Sequence, residues 1–368
     1  MTMHTIAPYR RLARQVRAGL VGGPPGDEDH NIWHWYLSTA LLGLTNAGLW
    51  TFLPIYLARL GASATVLGLF TSLPALLNIV LILPGGILVE QVRDQMKGLL
   101  RLALVSRAMT LCLILSPFFV RGAALPIVIV LLWTALTIPD AGGIPLWTAI
   151  AARSVSVERR AHVNGTRWAL LSLVTAVCMV LYGRWLDVAP VPWAYEAVFM
   201  VSFVGSLFEL WFFARIRVPV LPPPPPAPAK GLGQRLRDYL HPLAEHRPFL
   251  RYLAATFAYR LALCLPLPLF TLLWVRELQA SDGLIGLRGT VGSLALMLGY
   301  FYWGRRANRI GHRRVLWIGA IGLGAYVVIS ALLPSAGWIV LVAVLWGVTA
   351  SGVDVGIFDL MLDACPQG

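Results

Sequence analysis

Charge is scarce in this 368-residue chain. Only 13% of its residues are Asp, Glu, Lys or Arg, about half the share of an ordinary soluble domain. Hydrophobic residues make up 58%, and the mean hydropathy is +0.71. A soluble protein of this size has no interior large enough for so much apolar surface, so lipid must act as its solvent. Cysteine is equally sparse. Cys112, Cys178, Cys264 and Cys365 are scattered without a CxxC spacing, which excludes a disulfide framework or a thiolate metal site. The seven histidines all fall outside the apolar runs or at their edges, and there is no Walker loop or nucleophile elbow. A membrane-embedded acyltransferase and an ATP-driven pump therefore have nothing to work with. Lysine is almost missing, two against 28 arginines, an associational pointer to a GC-rich bacterial genome.

What is present is apolar sequence in long runs. A membrane helix needs about 20 mostly apolar residues to cross about 30 Å of hydrocarbon. Ten runs qualify: 34–58, 64–89, 99–119, 124–150, 168–186, 193–214, 250–275, 283–304, 314–333 and 337–362. None reads as a cleavable signal peptide, because the first 33 residues carry no apolar core. That segment holds Arg10, Arg11, Arg14 and Arg17 and could lie on a membrane surface.

The loops alternate in basic charge. Segments 1–33, 90–101, 151–167, 215–251 and 305–314 hold 23 of the 30 Lys and Arg residues; the opposite loops hold only Arg59, Arg121, Arg184 and Arg276. The positive-inside rule makes the basic side, with the N-terminus, cytoplasmic. The formal charge of +13 is then explained by topology and anionic lipid, without nucleic acid. The expected organisation is a cytoplasmic segment 1–33, six membrane helices over 34–214, a cytoplasmic linker 215–249 and four helices over 250–368. The linker contains Pro222–Pro226 and Pro228, a stiff spacer, and then an amphipathic stretch from Gly231 to Phe249.

The chain also repeats itself. Shifted by 218 residues, LGASATVLGLFTSL (60–73) aligns without a gap on LQASDGLIGLRGTV (278–291), pairing Ala62 with Ala280 and Gly68 with Gly286. The same offset pairs Gly86 with Gly304. Helices 2 and 8 are thus equivalent, and the protein is built from two related halves.

The segment Gly304-Arg-Arg-Ala-Asn308-Arg309-Ile-Gly311-His312-Arg313-Arg314 resembles the helix 2–3 loop signature of the major facilitator superfamily, G-x-x-x-D-R-x-G-R-R. The first half keeps Gly86 and Glu90 of that pattern, then Arg93 and Lys97. The resemblance implies an all-α, multi-pass, two-domain bundle in which this loop latches the domains in one state. Asn308, where the family has an acid, puts the latch of the second half in doubt. Members usually have twelve helices, so the resemblance implies a chain cut after the tenth; a natural ten-helix variant is the alternative. The G-P-x-x-G-G-like motif and helix 4 arginine of proton-coupled drug exporters are missing.

A charge near the bilayer centre costs about 2.5–3.5 kcal/mol and should face protein or water. Arg107, Asp140, Arg260 and Asp354 lie near their helix midpoints, Arg288 nearer the outer side, and Glu209 and Asp359 nearer the cytoplasm. The resemblance implies that helices 1, 4, 7 and 10 line a central cavity, which places Asp140, Arg260 and Asp354 there. An aspartate in such a cavity could take up and release a proton, and Arg260 could bind an anionic group. The alternative is static ion pairs, Arg260–Asp354 and Arg107–Asp140. Asn46, with Thr45, Trp50 and Tyr56, is the helix 1 candidate for substrate contact; Trp147 and Tyr259 could stack on a substrate. Pro139 and Pro145, and Pro266 and Pro268, should loosen helices 4 and 7.

Two functions stay open. One is a secondary transporter of an unidentified small solute in the cell membrane, working by alternating access. It would need no cofactor, and a proton or other ion gradient is one way to drive it. The other is a transport-inactive sensor or scaffold on the same fold.

Overall fold

In a computed structural model the described residues are 27–89, 92–190, 193–220 and 247–364, with 233, 234 and 237 between them, and their regular structure is entirely helical. Among the described residues, ten helices are long and apolar enough to cross a membrane. They are α1 (Asp27–Arg59), α2 (Ala64–Val89), α3 (Gln95–Phe119), α4 (Ala124–Ser154), α5 (Val157–Val188), α6 (Trp193–Phe213), α7 (Arg247–Cys264, Leu267–Leu272 and Leu273–Glu277), α8 (Asp282–Ile310), α9 (His312–Ala331) and α10 (Trp338–Ala364). The proline run 222–228 and most of the amphipathic stretch after it lie outside the described residues.

The expected basic loops 151–167 and 305–314 are mostly helix. Only Val155 and Ser156 separate α4 from α5, and only Gly311, at φ 88°, separates α8 from α9. Likewise α1 starts at Asp27, seven residues before its apolar run. Hydropathy marks the stretch inside hydrocarbon, whereas a helix continues into the headgroup layer until its backbone is stopped. Neighbours satisfy the polar end of α1: Asp29 pairs with Arg159 at 2.8 Å, and the Asn31 amide donates to the Arg217 carbonyl at 2.8 Å. Elsewhere caps set the boundaries. Asp94 accepts from the Lys97 amide at 3.0 Å to start α3, and Ser281 accepts from the Leu284 amide at 3.2 Å to start α8.

In the first half α1 packs on α5 and α6, while α4 packs on α2 and α3. The α2–α4 and α3–α4 pairings recur as α8–α10 and α9–α10, the spatial counterpart of the 218-residue repeat. Across the halves α5 lies on α8 with almost no side chain between them. A Cβ added at Gly286 would run into the Met179 carbonyl oxygen, and one at Gly183 would sit 2.8 Å from the Asp282 carbonyl oxygen. Gly68, the sequence counterpart of Gly286, has nothing within 4 Å of such a Cβ.

Proline acts differently in the two helices it was expected to loosen. α7 is interrupted at Leu265–Pro266, but α4 runs unbroken through Pro139 and Pro145. There α3 packs tightly against the intervening glycines: a Cβ at Gly142 would meet Leu102 at 3.1 Å and one at Gly143 would meet Leu99 at 3.3 Å. Close helix–helix packing of this kind can hold a proline-bearing helix together.

Candidate functional site

Because successive helices alternate in direction, Arg59, Arg276 and the α5 terminus lie at one end of the bundle, the arginine-poor end. There the halves are joined. Arg59 pairs with Asp282 at 3.0 Å and donates to the Ala280 carbonyl at 2.9 Å; Arg276 donates to the Ala62 carbonyl at 2.6 Å. The Asp187 carboxylate accepts from the Gly283 amide at 2.9 Å and the Ser281 hydroxyl at 3.2 Å. The largest apolar cluster also spans this junction, with Tyr56, Leu57 and Tyr195 from the first half and Val275, Ala280 and Ile285 from the second. At the basic end the clusters of the described residues stay separate: Trp35, Tyr36 and Phe213 belong to one half, Trp303, Ala307 and Val315 to the other.

Behind the sealed end lies a cavity of about 610 Å³ between the halves. One wall carries Trp50 from α1, Phe70 from α2, Arg107 from α3 and Trp133 and Asp140 from α4; the other carries Phe270 and Trp274 from α7, Arg288 from α8, Tyr326 from α9 and Trp346 from α10. Widened π-type turns occur in α1 at Asn46–Trp50 and in α7 at Leu273–Glu277, and each presents a cavity tryptophan, Trp50 or Trp274. Such turns are rare and shift the side chains that follow out of the regular helical register. Several aromatic rings on the wall pack against one another. Phe70 stacks on Trp133 at 5.1 Å, Trp50 meets Trp133 edge-on at 5.0 Å, and Phe270 stacks on Trp274 at 6.1 Å.

Of the four pathway candidates, only Asp140 lines this cavity. Ser106 and Arg107 of α3 are the groups that face its carboxyl. The alternative pair Arg107–Asp140 is not formed; the Arg107 Nη2 donates instead to Glu209 on α6 at 2.7 Å. Arg260 and Asp354 do form a pair, at 3.5 Å, and the Tyr300 hydroxyl also donates to Asp354 at 2.9 Å, but neither charge lies on the cavity wall. Asn46 is off the wall as well. Its carbonyl accepts from the Thr51 hydroxyl at 3.0 Å, and its neighbours Thr45, Trp50 and Thr51 face the cavity instead. Tyr56 is buried against Tyr195 in the sealed end, and Trp147 packs edge-on against Trp35. Tyr259 is not on the wall.

In the loop signature, Gly86 and Gly304 face open space, Arg309 and Arg313 are exposed, and Gly311 forms the α8–α9 joint. Glu90 and the Asn308 side chain lie outside the described residues.

Arg288 was placed by its depth near the outer side, and the structure puts it on the cavity wall. Its guanidinium carbon lies 4.5 Å from the centre of the Trp274 ring and 5.5 Å from that of Trp346, and its Nη2 donates to the Tyr326 hydroxyl at 3.0 Å. Nothing in the sequence pairs these four residues, which come from four helices.

The family profile described as Major Facilitator Superfamily matches residues 35–368. No curated protein sequence matches. Among solved structures the chain is similar to a bacterial homologue of the human lysosomal transporter Spinster, inward-facing and unoccupied, at 16% identity, with a TM-score of 0.64 over 93% of this chain and 80% of that one. It is similar to a bacterial homologue of the iron transporter ferroportin, inward-facing, at 15% identity, with a TM-score of 0.61 over 93% and 85%. A D-xylose–proton symporter follows the same pattern at 12% identity, with a TM-score of 0.59 over 88% and 80%. At these identities the likeness is one of fold.

Proposed function

Because the chain belongs to the major facilitator superfamily, we propose that it is a secondary active transporter that moves a small solute by alternating access through the cavity between its halves. One observation carries this reading: the cavity is sealed by cross-half contacts at one end, while the apolar clusters at the other end belong to separate halves. With the basic end cytoplasmic, this is an inward-facing state; the Spinster homologue is similar in its inward-facing state, and the ferroportin homologue is similar in both inward-facing and outward-facing states. What those relatives carry is not transferred to this chain.

Asp140 is the candidate for proton coupling. Arg107 is the charge that faces it, with Glu209 behind Arg107; α2, on the same wall, is uncharged over its length. The Arg107–Glu209 pair is neutral as a unit, so the protonation of Asp140 decides the charge of this wall.

The test needs no known solute. Spin labels at positions 188 and 279 report the arginine-poor end, and labels at 153 and 305 the basic end. In reconstituted protein the two distances should change in opposite senses between acid and neutral pH, and Asp140→Asn should abolish the response. A single distance population at both ends under all conditions would favour a transport-inactive sensor or scaffold.

A further inference from the structure

Arg288 is a permanent cation on the wall of a cavity to which both halves contribute aromatic rings, Trp50, Phe70 and Trp133 from the first and Phe270, Trp274, Tyr326 and Trp346 from the second. Among the described residues no carboxylate lies within ion-pair distance of it; its contacts are Trp274, Trp346 and the Tyr326 hydroxyl. Two indole rings hold the guanidinium, and one hydroxyl occupies one of its five N–H donors. Among the described residues the remaining donors make no hydrogen bond to protein. A guanidinium fixed in this way presents a planar fork, which matches the two oxygens of a carboxylate better than it matches a spherical anion or a sugar hydroxyl.

We propose that Arg288 is the anion anchor of the cavity and that the substrate is an amphipathic organic carboxylate with a flat apolar body. The proposal rests on the transporter reading above and specifies its substrate class. The rings provide the second half of the argument. Phe270 and Trp274 stand beside Arg288, and Phe70, Trp133 and Trp50 form the opposite wall, so a bound carboxylate has aromatic faces on both sides of its body. The volume of about 610 Å³ is in the range of sites that take small organic ligands. Asp140 on the other wall explains how an anion could be tolerated there. When it is ionised, the two negative groups repel within one low-dielectric space; when it is protonated, that repulsion is removed. Anion and proton are therefore bound together and released together.

Calorimetric titration of the purified full chain in detergent tests the anchor, with naphthoate and its uncharged analogue naphthamide as probes. Wild type should bind naphthoate at least about tenfold more tightly than naphthamide, the effect expected of a charge-assisted hydrogen-bonded pair. Arg288→Gln should erase that preference by bringing naphthoate down to the affinity of naphthamide, and an unchanged gel-filtration profile and unfolding midpoint show that the variant is folded. Arg288→Lys, a point charge without the fork, should recover only part of it. Tyr326→Phe should keep it. The proposal is overturned if wild type binds neither probe, if it does not distinguish acid from amide, or if the preference survives Arg288→Gln. It is also overturned if tetraphenylphosphonium binds more tightly than naphthoate and loses affinity in Asp140→Asn. The spin-label distances do not depend on these probes, so the anchor can fail while alternating access stands, and the reverse.

Discussion

Arg59 and Asp282 stand 3.0 Å apart across the two halves of the bundle, one at the end of α1 and the other at the start of α8. The Asp282 side chain is only 6% exposed, so its charge depends on this partner. The contact has a reciprocal. Arg59 also bonds the Ala280 carbonyl and Arg276 bonds the Ala62 carbonyl, and Ala62 and Ala280 are equivalent positions of the 218-residue repeat. Each half ends its first helix with an arginine that clasps the first loop of the other half. The arginine-poor end keeps two of its few arginines for this clasp.

Removing the clasp should open this end. In a variant with the native cysteines replaced by serine, Ile285→Cys places a thiol at a site that is 2% exposed in the sealed state. Adding Arg59→Gln should raise its labelling by a membrane-impermeant maleimide from that side about tenfold, a shift of about 1.4 kcal/mol between closed and open states. Unchanged labelling would show that the pair does not hold the seal.

The Arg107–Glu209 pair should behave as a structural tie between α3 and α6. Both side chains are largely buried, at 21% and 15% exposure. Arg107→Met leaves the carboxylate without its partner and should cost about 3 kcal/mol of stability, read as a lower unfolding midpoint in detergent. The double variant Arg107→Met with Glu209→Leu should recover most of that loss. Equal losses in the single and double variants would mean the pair is not the source of the stability.

Equivalent glycines should tolerate alanine differently. Gly286→Ala forces a methyl group against the Met179 carbonyl oxygen and should separate α5 from α8, raising the labelling of the Ile285→Cys site. Gly68→Ala, inside α2 with nothing within 4 Å, should leave labelling unchanged and should not lower thermal stability. A matched response at both positions would show that the α5–α8 contact does not depend on this glycine.

Asp94 gives a pH signature outside the membrane spans. Bonds from the Lys97 amide and ammonium hold its carboxyl below the usual carboxylate range. A lowered folded-state value means that the contribution is present at neutral pH and is lost as pH falls through the carboxylate's titration. In Asp94→Asn the acid-side loss of thermal stability should shrink, with the neutral-pH value lower than in wild type. An identical acid limb in both proteins would remove Asp94 from the cap of α3.

Much of the architecture was legible before any coordinates. The α2 bounds of 64–89 and the other nine spans follow from apolar run length, because a backbone in lipid must satisfy its hydrogen bonds within its own helix. The repeat was legible too, because Ala62 with Ala280, Gly68 with Gly286 and Gly86 with Gly304 keep one gapless register in both copies. The basic loops were not. Arg153 and Arg309 lie on helix ends that pass beyond hydrocarbon, and composition does not mark where those helices stop.

The candidate site was only partly readable, and the reason is geometric. Sequence gives the depth of a residue in the membrane, from its position along a helix. It does not give the rotation of that helix, because the lipid-facing and interior-facing sides are both apolar and no polar stripe separates them. Depth, together with the resemblance that puts helices 1, 4, 7 and 10 on the cavity, therefore nominated Asp140, Arg260 and Asp354 alike, with Arg260–Asp354 and Arg107–Asp140 as the alternative static pairs. Tertiary packing turned Arg107 to Glu209, left Arg260 and Asp354 off the cavity wall, and brought Arg288 between Trp274 and Trp346. The sequence by itself determined where its ten apolar spans lie and that its halves repeat; only the packed helices decided which charges meet and which of them face the cavity.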